Sequence, residues 1–223
     1  MRKFALASLM VMAGAAAQAE GLPGVTDGPG PNLVIEVADA AGTAKGKIVL
    51  DLYADKAPKH VERLVALAKS GAYDGVVFHR VIDGFMAQTG DVQFGRADGL
   101  QAALDALPAG SREDTVILNG SEIPRQMVGA GMGGSEMGDL KAEFNDVSFQ
   151  AGTVGMARSN DPDSANSQFF IDLAPADFLD GQYTVVGQLV DGWDVLNAIK
   201  KGDKAANGAV DKPDYMAKVT VAE

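Results

Sequence analysis

The stretch from Phe78 to Asp91 constrains this chain more than any other. His79, Val81 and Asp83 alternate with Phe78, Arg80 and Ile82. Gly84 interrupts the pattern, and Phe85, Ala87 and Thr89 then restart it against Met86, Gln88 and Gly90. Side chains on a strand point to alternate faces, so the pattern predicts two short strands around a glycine bend. Arg80 and Gln88 then converge near Phe85 and Met86 on one open face. An arginine beside apolar residues needs a partner or a task. These residues alone leave open whether Arg80 serves a site or snorkels over a core.

The N-terminus reads as a leader. Arg2 and Lys3 precede an apolar run from Phe4 to Ala16, and Ala17, Gln18 and Ala19 form a small-x-small cleavage site. This is the layout of a cleavable signal peptide over residues 1–19, and the run is too short to span a membrane. The mature chain is expected to start near Glu20, to be exported to the periplasm and to keep no membrane association. About 200 residues remain, enough for one domain with a sizeable core. There is no cysteine, so export brings no disulfide and stability rests on packing. The net charge of −11 becomes more negative once Arg2 and Lys3 are removed, and no basic stripe offsets it. That argues against nucleic acid and anionic membrane surfaces as partners.

Residues 20–32 are rich in Gly and Pro and read as a flexible lead-in to a single domain over 33–223. Leu33 to Ala38 and Gly46 to Tyr53 are β-type runs joined by a turn, which predicts a hairpin. Pro58 to Ser70 is the clearest helix. Its apolar stripe is Val61, Leu64, Val65 and Ala68, with Pro58 suited to the first helical position and Gly71 to the stop. His60 lies one position off the stripe and reads as a surface residue. From about 92 to 128 the pattern turns irregular, with one short helix expected at 100–107; this segment reads as an insertion without an assignable role. Thr153 to Ala157, Ser167 to Asp172, Tyr183 to Leu189 and Tyr215 to Val221 supply further strands. A second helix is expected from Trp193 through Lys201, with Trp193, Leu196 and Ile199 inward. About eight short strands and two helices fit a β-barrel capped at each end by a helix.

Two ligand motifs fail on context. Gly129, Gly131 and Gly134 have GxGxxG spacing, but no buried strand precedes them and no helix follows. Asp161 and Asp163 suggest a calcium loop, yet Asn166 and Asp172 stand where an EF-hand needs Gly and Glu. Neither a metal nor a cofactor is expected.

The motif Phe78-His-Arg-Val-Ile-x-Gly-Phe-Met-x-Gln-x-Gly-Asp91 resembles the signature of the cyclophilin family of peptidyl-prolyl cis-trans isomerases. The resemblance continues through Gly131 to Ser135, Gly155 to Ala157, Ser164 to Ile171 and Phe178 to Gly181, covering nearly all of 33–222. It implies a mainly β fold, a closed eight-stranded antiparallel barrel capped by two α-helices, and a monomer acting on proline-containing polypeptides. Position by position, it implies that Arg80 is the catalytic arginine, supported by Phe85 and Gln88. Met86, Phe170, Phe178 and Leu179 match the walls and rim of the proline pocket, and Ala157 and Gln168 match the groove for the preceding residue. The glycine-rich loop at 129–135 lies beside that groove in the family pattern. His79 follows the motif in a structural role. Phe178 and Tyr183 stand where many eukaryotic members carry tryptophan and histidine, and Arg158 replaces an asparagine whose backbone contacts substrate.

The chemistry suits these residues. The peptide C–N bond has partial double-bond character and a barrier of roughly 18–20 kcal/mol. Before proline the two isomers lie within about 1 kcal/mol, yet exchange takes tens of seconds or more. Lowering that barrier breaks no bond and requires no nucleophile. An apolar pocket holds the proline ring, and a guanidinium aimed at the prolyl nitrogen favours the lone-pair-localised transition state. The competing class is a non-catalytic peptide-binding chaperone or adaptor on the same fold.

Overall fold

The computed structural model describes Leu22 and residues 25–97, 115–118, 121–124 and 129–222. The leader at 1–19 and the expected helix at 100–107 lie outside the described residues. β1 (Asn32–Ala38) and β2 (Ala44–Leu52) form the expected hairpin, followed by α1 (Pro58–Lys69) and β3 (Val76–Val77). Then come β4 (Arg80–Ile82), β5 (Met86–Thr89), β6 (Thr115–Leu118), β7 (Ser121–Pro124), β8 (Thr153–Met156) and β9 (Phe169–Asp172). β10 (Val185–Asp191), α2 (Trp193–Asn197) and β11 (Tyr215–Ala222) complete the order.

Nine of the strands make one antiparallel sheet in the order β3-β11-β1-β2-β10-β8-β9-β5-β4. Every strand of it sends side chains into one buried cluster, from Leu33 and Ile48 through Val81, Ala87 and Ile171 to Met216. The two edge strands, β3 and β4, are consecutive in the chain with only Phe78 and His79 between them. The sheet therefore rolls back on itself as a barrel. Nine strands replace the expected eight because Val76–Val77 and Arg80–Ile82 form separate strands. Between β3 and β4 the described residues show a seam in place of a ladder, since each of these strands pairs on one side only, β3 with β11 and β4 with β5. Thr89 bridges the seam with its hydroxyl, donating to the Val77 carbonyl at 2.9 Å.

α1 covers the barrel through Val61, Leu64, Leu67 and Ala68. It ends in a Schellman motif, with Gly71 at φ +76 and the Ala72 N–H on the Leu67 carbonyl. Its start has no side-chain cap of its own. Glu143, from a distant loop, accepts the N–H groups of Lys59 and His60 instead. The same carboxylate takes Nδ1 of His60 at 2.6 Å, and His60 is fully buried rather than on the surface. Arg63 is buried beside it because its guanidinium satisfies the Met137, Gly138 and Asn166 carbonyls. The helix thus has two covered sides, one apolar against the barrel and one polar against the loop at 137–143.

α2 starts at Trp193 as expected but stops at Asn197 rather than Lys201, and beyond it the Lys200 N–H donates to the Asp214 carboxylate instead of continuing the helix. Leu196 and Ile199 are buried as expected, and Val195 joins them. The Gly/Pro-rich segment before β1 makes specific contacts. Gly28 donates its N–H to Asp51, Asn32 binds Asp27, and Leu22 packs against the core. Within 92–128, β6 and β7 pair antiparallel as a separate two-stranded sheet.

Candidate active site

The β4–β5 hairpin places Arg80 directly opposite Gln88, Val81 opposite Ala87 and Ile82 opposite Met86, around Gly84 at φ +70. Directly opposed residues share a face. Val81 and Ala87 therefore point into the barrel core, while Arg80, Gln88 and Met86 line its outer face. Gln88 in turn stands opposite Phe170 on β9, which adds an aromatic floor. Phe149, fully buried and unmarked in the motif pattern, stacks beneath Phe170 with ring centroids 5.8 Å apart.

These residues line an open cavity of about 260 Å³ with an aromatic and aliphatic floor and polar groups at its sides. Ten of the eleven candidate residues line it: Arg80, Phe85, Met86, Gln88, Ala157, Arg158, Phe170, Phe178, Leu179 and Tyr183. Phe178 and Leu179 reach it from a short 3-10 turn, Asp177–Leu179. Phe178 is 65% exposed and packs against Phe85, so it forms the rim. The eleventh residue, Gln168, lines an adjoining cavity of about 510 Å³ shared with Gln88, Ala157, Arg158 and the glycine-rich loop.

Hydrogen bonds tie the two cavities together. Gln168 donates Nε2 to the carbonyls of Gly131 at 3.0 Å and Gly133 at 2.7 Å. Its Oε1 accepts Nε2 of Gln88 at 3.0 Å, and Oε1 of Gln88 accepts Nη1 of Arg80 at 3.2 Å. The N–H groups of Gly131 and Gly133 are occupied by one oxygen of Asp91, whose other oxygen accepts from Gln93 and Phe94. The donors that a phosphate would need on this glycine loop thus already hold an internal carboxylate.

Residues 35–221 match the family described as cyclophilin type peptidyl-prolyl cis-trans isomerase/CLD. A Brucella suis protein named as a probable peptidyl-prolyl cis-trans isomerase is 49% identical over 177 residues, covering 79% of this chain and 78% of that protein. A peptidyl-prolyl cis-trans isomerase of Schizosaccharomyces pombe is 32% identical over 177 residues, covering 79% of this chain and 92% of its own length. One from Caenorhabditis elegans is 36% identical over 158 residues, covering 71% of this chain and 78% of that protein.

The chain belongs to the cyclophilin family.

In this cyclophilin the guanidinium of Arg158 is committed within the protein. It donates to the carbonyls of Gln182 and Ser159 and lies 4.3 Å from the centre of the Tyr183 ring. Tyr183 meets Phe170 edge to face at 5.8 Å, so Arg158 backs one wall of the cavity. His79 is partly buried against the glycine loop, and desolvation of its ring lowers its pKa to about 4. The ring is therefore neutral at pH 7, in keeping with a structural role.

Two features of the site carry no signal in the family motif. Asn207 accepts two hydrogen bonds from Arg80, one on its backbone carbonyl and one on Oδ1. A left-handed Asn-Gly pair after a short helical turn marks such a position, but nothing in the sequence links it to Arg80. Asp172 lies opposite Met86 on the cavity face, fully buried, and among the described residues neither carboxylate oxygen has a hydrogen-bond partner. Burial raises its pKa to about 8, so at neutral pH it is chiefly the uncharged acid.

Proposed function

We propose that this cyclophilin accelerates rotation about X-Pro bonds in exported polypeptides, by transition-state stabilisation from Arg80 and without a covalent intermediate. The observation that carries this reading is the placement of the Arg80 guanidinium in the cavity of about 260 Å³, beside Phe85, Met86, Phe170 and Leu179. A proline ring seated against Phe85, Met86, Phe170 and Leu179 is held still while the carbonyl on its N-terminal side turns. As the C–N bond loses double-bond character, the nitrogen lone pair localises, and a guanidinium N–H beside it gains a stronger acceptor. That gain exists in the transition state and not in the planar ground state, which is the requirement for catalysis. Burial lowers the pKa of Arg80 while Tyr183 works to raise it, and arginine remains charged throughout. Gln88 sits where it can hold the substrate backbone, and the adjoining cavity takes the residues before proline.

Export to the periplasm as a monomer rests on the leader-like residues 1–19 and on the acidic, cysteine-free chain that follows. Mass spectrometry of the protein from its native host is expected to find a mature N-terminus near Glu20.

Exchange NMR on an Ala-Pro peptide tests the mechanism. Wild type accelerates cis/trans exchange, and Arg80→Ala keeps the fold and loses activity on the order of 10²–10³-fold, the usual effect of removing one preorganised donor. Wild-type turnover by a folded Arg80→Ala protein overturns the arginine mechanism.

A further inference from the structure

An arginine that stabilises a developing lone pair must meet two conditions at once. Its plane has to be fixed, or aiming it costs rotamer entropy at every turnover. Its charge has to stay uncompensated, or the field at the nitrogen is lost. A carboxylate partner meets the first condition and violates the second, because a bidentate carboxylate neutralises the guanidinium it orients.

The contacts of Arg80 meet both. Nε donates to the Asn207 carbonyl at 3.0 Å, and Nη2 donates to Asn207 Oδ1 at 3.1 Å. The two oxygens grip one edge of the fork as a carboxylate would, but both belong to neutral amides. On the other side Nη1 meets the neutral Oε1 of Gln88 at 3.2 Å and the sulfur of Met86 at 3.9 Å. Among the described residues no carboxylate forms an ion pair with Arg80.

The backbone presents Asn207 for this task. It sits at φ +54, directly after the short helical turn Lys204–Ala206. In that left-handed conformation its carbonyl and its side chain both face Arg80. Asparagine and aspartate tolerate this region better than other side-chain-bearing residues. The loop itself is held without the Asn207 side chain. Gly202 donates to the Val81 carbonyl, Val81 to the Gly208 carbonyl and Val210 to the His79 carbonyl, so backbone bonds flank Arg80 on both sides.

We propose that Asn207 is the positioning residue for Arg80, a neutral two-oxygen clamp that fixes the guanidinium plane while leaving its charge free for the prolyl nitrogen. This rests on the arginine mechanism proposed above.

Four proteins separate the alternatives: wild type, Arg80→Ala, Asn207→Gly and Asn207→Asp. Each is measured by exchange NMR across a peptide titration to give kcat and KM, with thermal unfolding alongside. Asn207→Gly keeps the left-handed backbone and the carbonyl but loses Oδ1, and kcat falls about tenfold, the usual scale of one hydrogen bond to a charged group. Asn207→Asp keeps both oxygens and the backbone preference but adds a negative charge, and kcat falls further, by about 10²-fold. In both variants KM and the thermal midpoint stay at wild-type values. A purely structural role gives the reverse order, with Asp the better replacement. Wild-type kcat in Asn207→Asp, or losses in both variants that only track the thermal midpoint, overturns the clamp. Wild-type activity in Arg80→Ala instead overturns the arginine mechanism, which keeps the two failures distinct.

Discussion

Gln88 presents its Oε1, rather than its amide nitrogen, to Nη1 of Arg80, and residues on the far side of the groove dictate that choice. The Gly131 and Gly133 carbonyls can only accept, so Gln168 must turn its NH₂ toward them. Its oxygen then faces Gln88, which must answer with NH₂ and leave its own oxygen for the arginine. The chain of amides has one polarity, and it ends in an acceptor where a cation needs one.

Gln168→Glu breaks that polarity at its source. A carboxylate cannot donate to the two glycine carbonyls, and it leaves them facing a negative charge. The expected cost is about 1 kcal/mol of stability, from partly buried acceptors left without donors. That lowers the thermal midpoint by about 2–4 °C for each kcal/mol in a chain of this size, as calorimetry would read. Exchange NMR is expected to show reduced kcat as well, because Gln88 loses the partner that orients it. An unchanged midpoint with unchanged turnover contradicts the relay.

Asp172 makes stability depend on pH in a direction unusual for an acid. Its carboxyl titrates near 8 in the fold and near 3.8 when exposed. Between those values the folded protein holds a proton that the unfolded chain has released. Stability therefore falls as pH rises through this window, by at most about 1.4 kcal/mol per pH unit, and levels off above it. Asp172→Asn keeps the shape and removes the titration. Urea unfolding at pH 6 and pH 9 is expected to show the variant gaining on wild type at the higher pH. Parallel curves for the two proteins exclude this role.

Glu143 works with the opposite sign. Burial opposes its ionisation, but the hydrogen bonds from the His60 side chain and from the N–H groups of His60 and Lys59 outweigh it, and the pKa is lowered. Its contribution is present above the unfolded value of 4.5 and is lost as pH falls through the lower folded value. Glu143→Ala is expected to cost about 1–3 kcal/mol at pH 7, leaving the start of α1 and buried His60 without a partner. The difference from wild type shrinks in acid. Chemical denaturation at pH 7 and at pH 3.5 measures both quantities, and a pH-independent difference refutes the assignment.

Local periodicity carried the parts of the fold that depend on nearest neighbours. The alternation around Gly84 locates the β4–β5 hairpin and the face shared by Arg80 and Gln88, and the stripe of α1 locates the covered side of that helix. Burial set by distant chain was not legible. His60 reads as a surface residue because polar side chains usually are, and its partner Glu143 lies some 80 positions away. Nothing near Arg63 in sequence marks its burial either, since it bonds carbonyls up to some 100 positions away. β3 escapes because two residues carry no period. β6 and β7 do have a local signal, a Thr-Val-Ile-Leu run ending at Asn119-Gly120, a dipeptide typical of tight hairpins, but the irregular flanks hid it. The motifs contain the residues proposed to touch substrate, whereas Asn207, Phe149 and Asp172 lie outside them and reach Arg80, Phe170 and Met86 only in the fold.

Asp91 has a consequence for how this protein can change over time. Its two oxygens receive Gln93 and Phe94 from the chain leaving the barrel, and Gly131 and Gly133 from the chain returning to it. The excursion between is therefore sealed at its base, like a seam sewn shut below an open pocket. Lengthening a loop whose ends are already fixed costs only in proportion to the logarithm of its length. Gly95 and Ala97 still bond to the barrel, so it is the stretch at 98–128 that is expected to accept new length or sequence at small cost to the groove. One buried carboxylate gives this isomerase a place to acquire new attachments without relearning its chemistry.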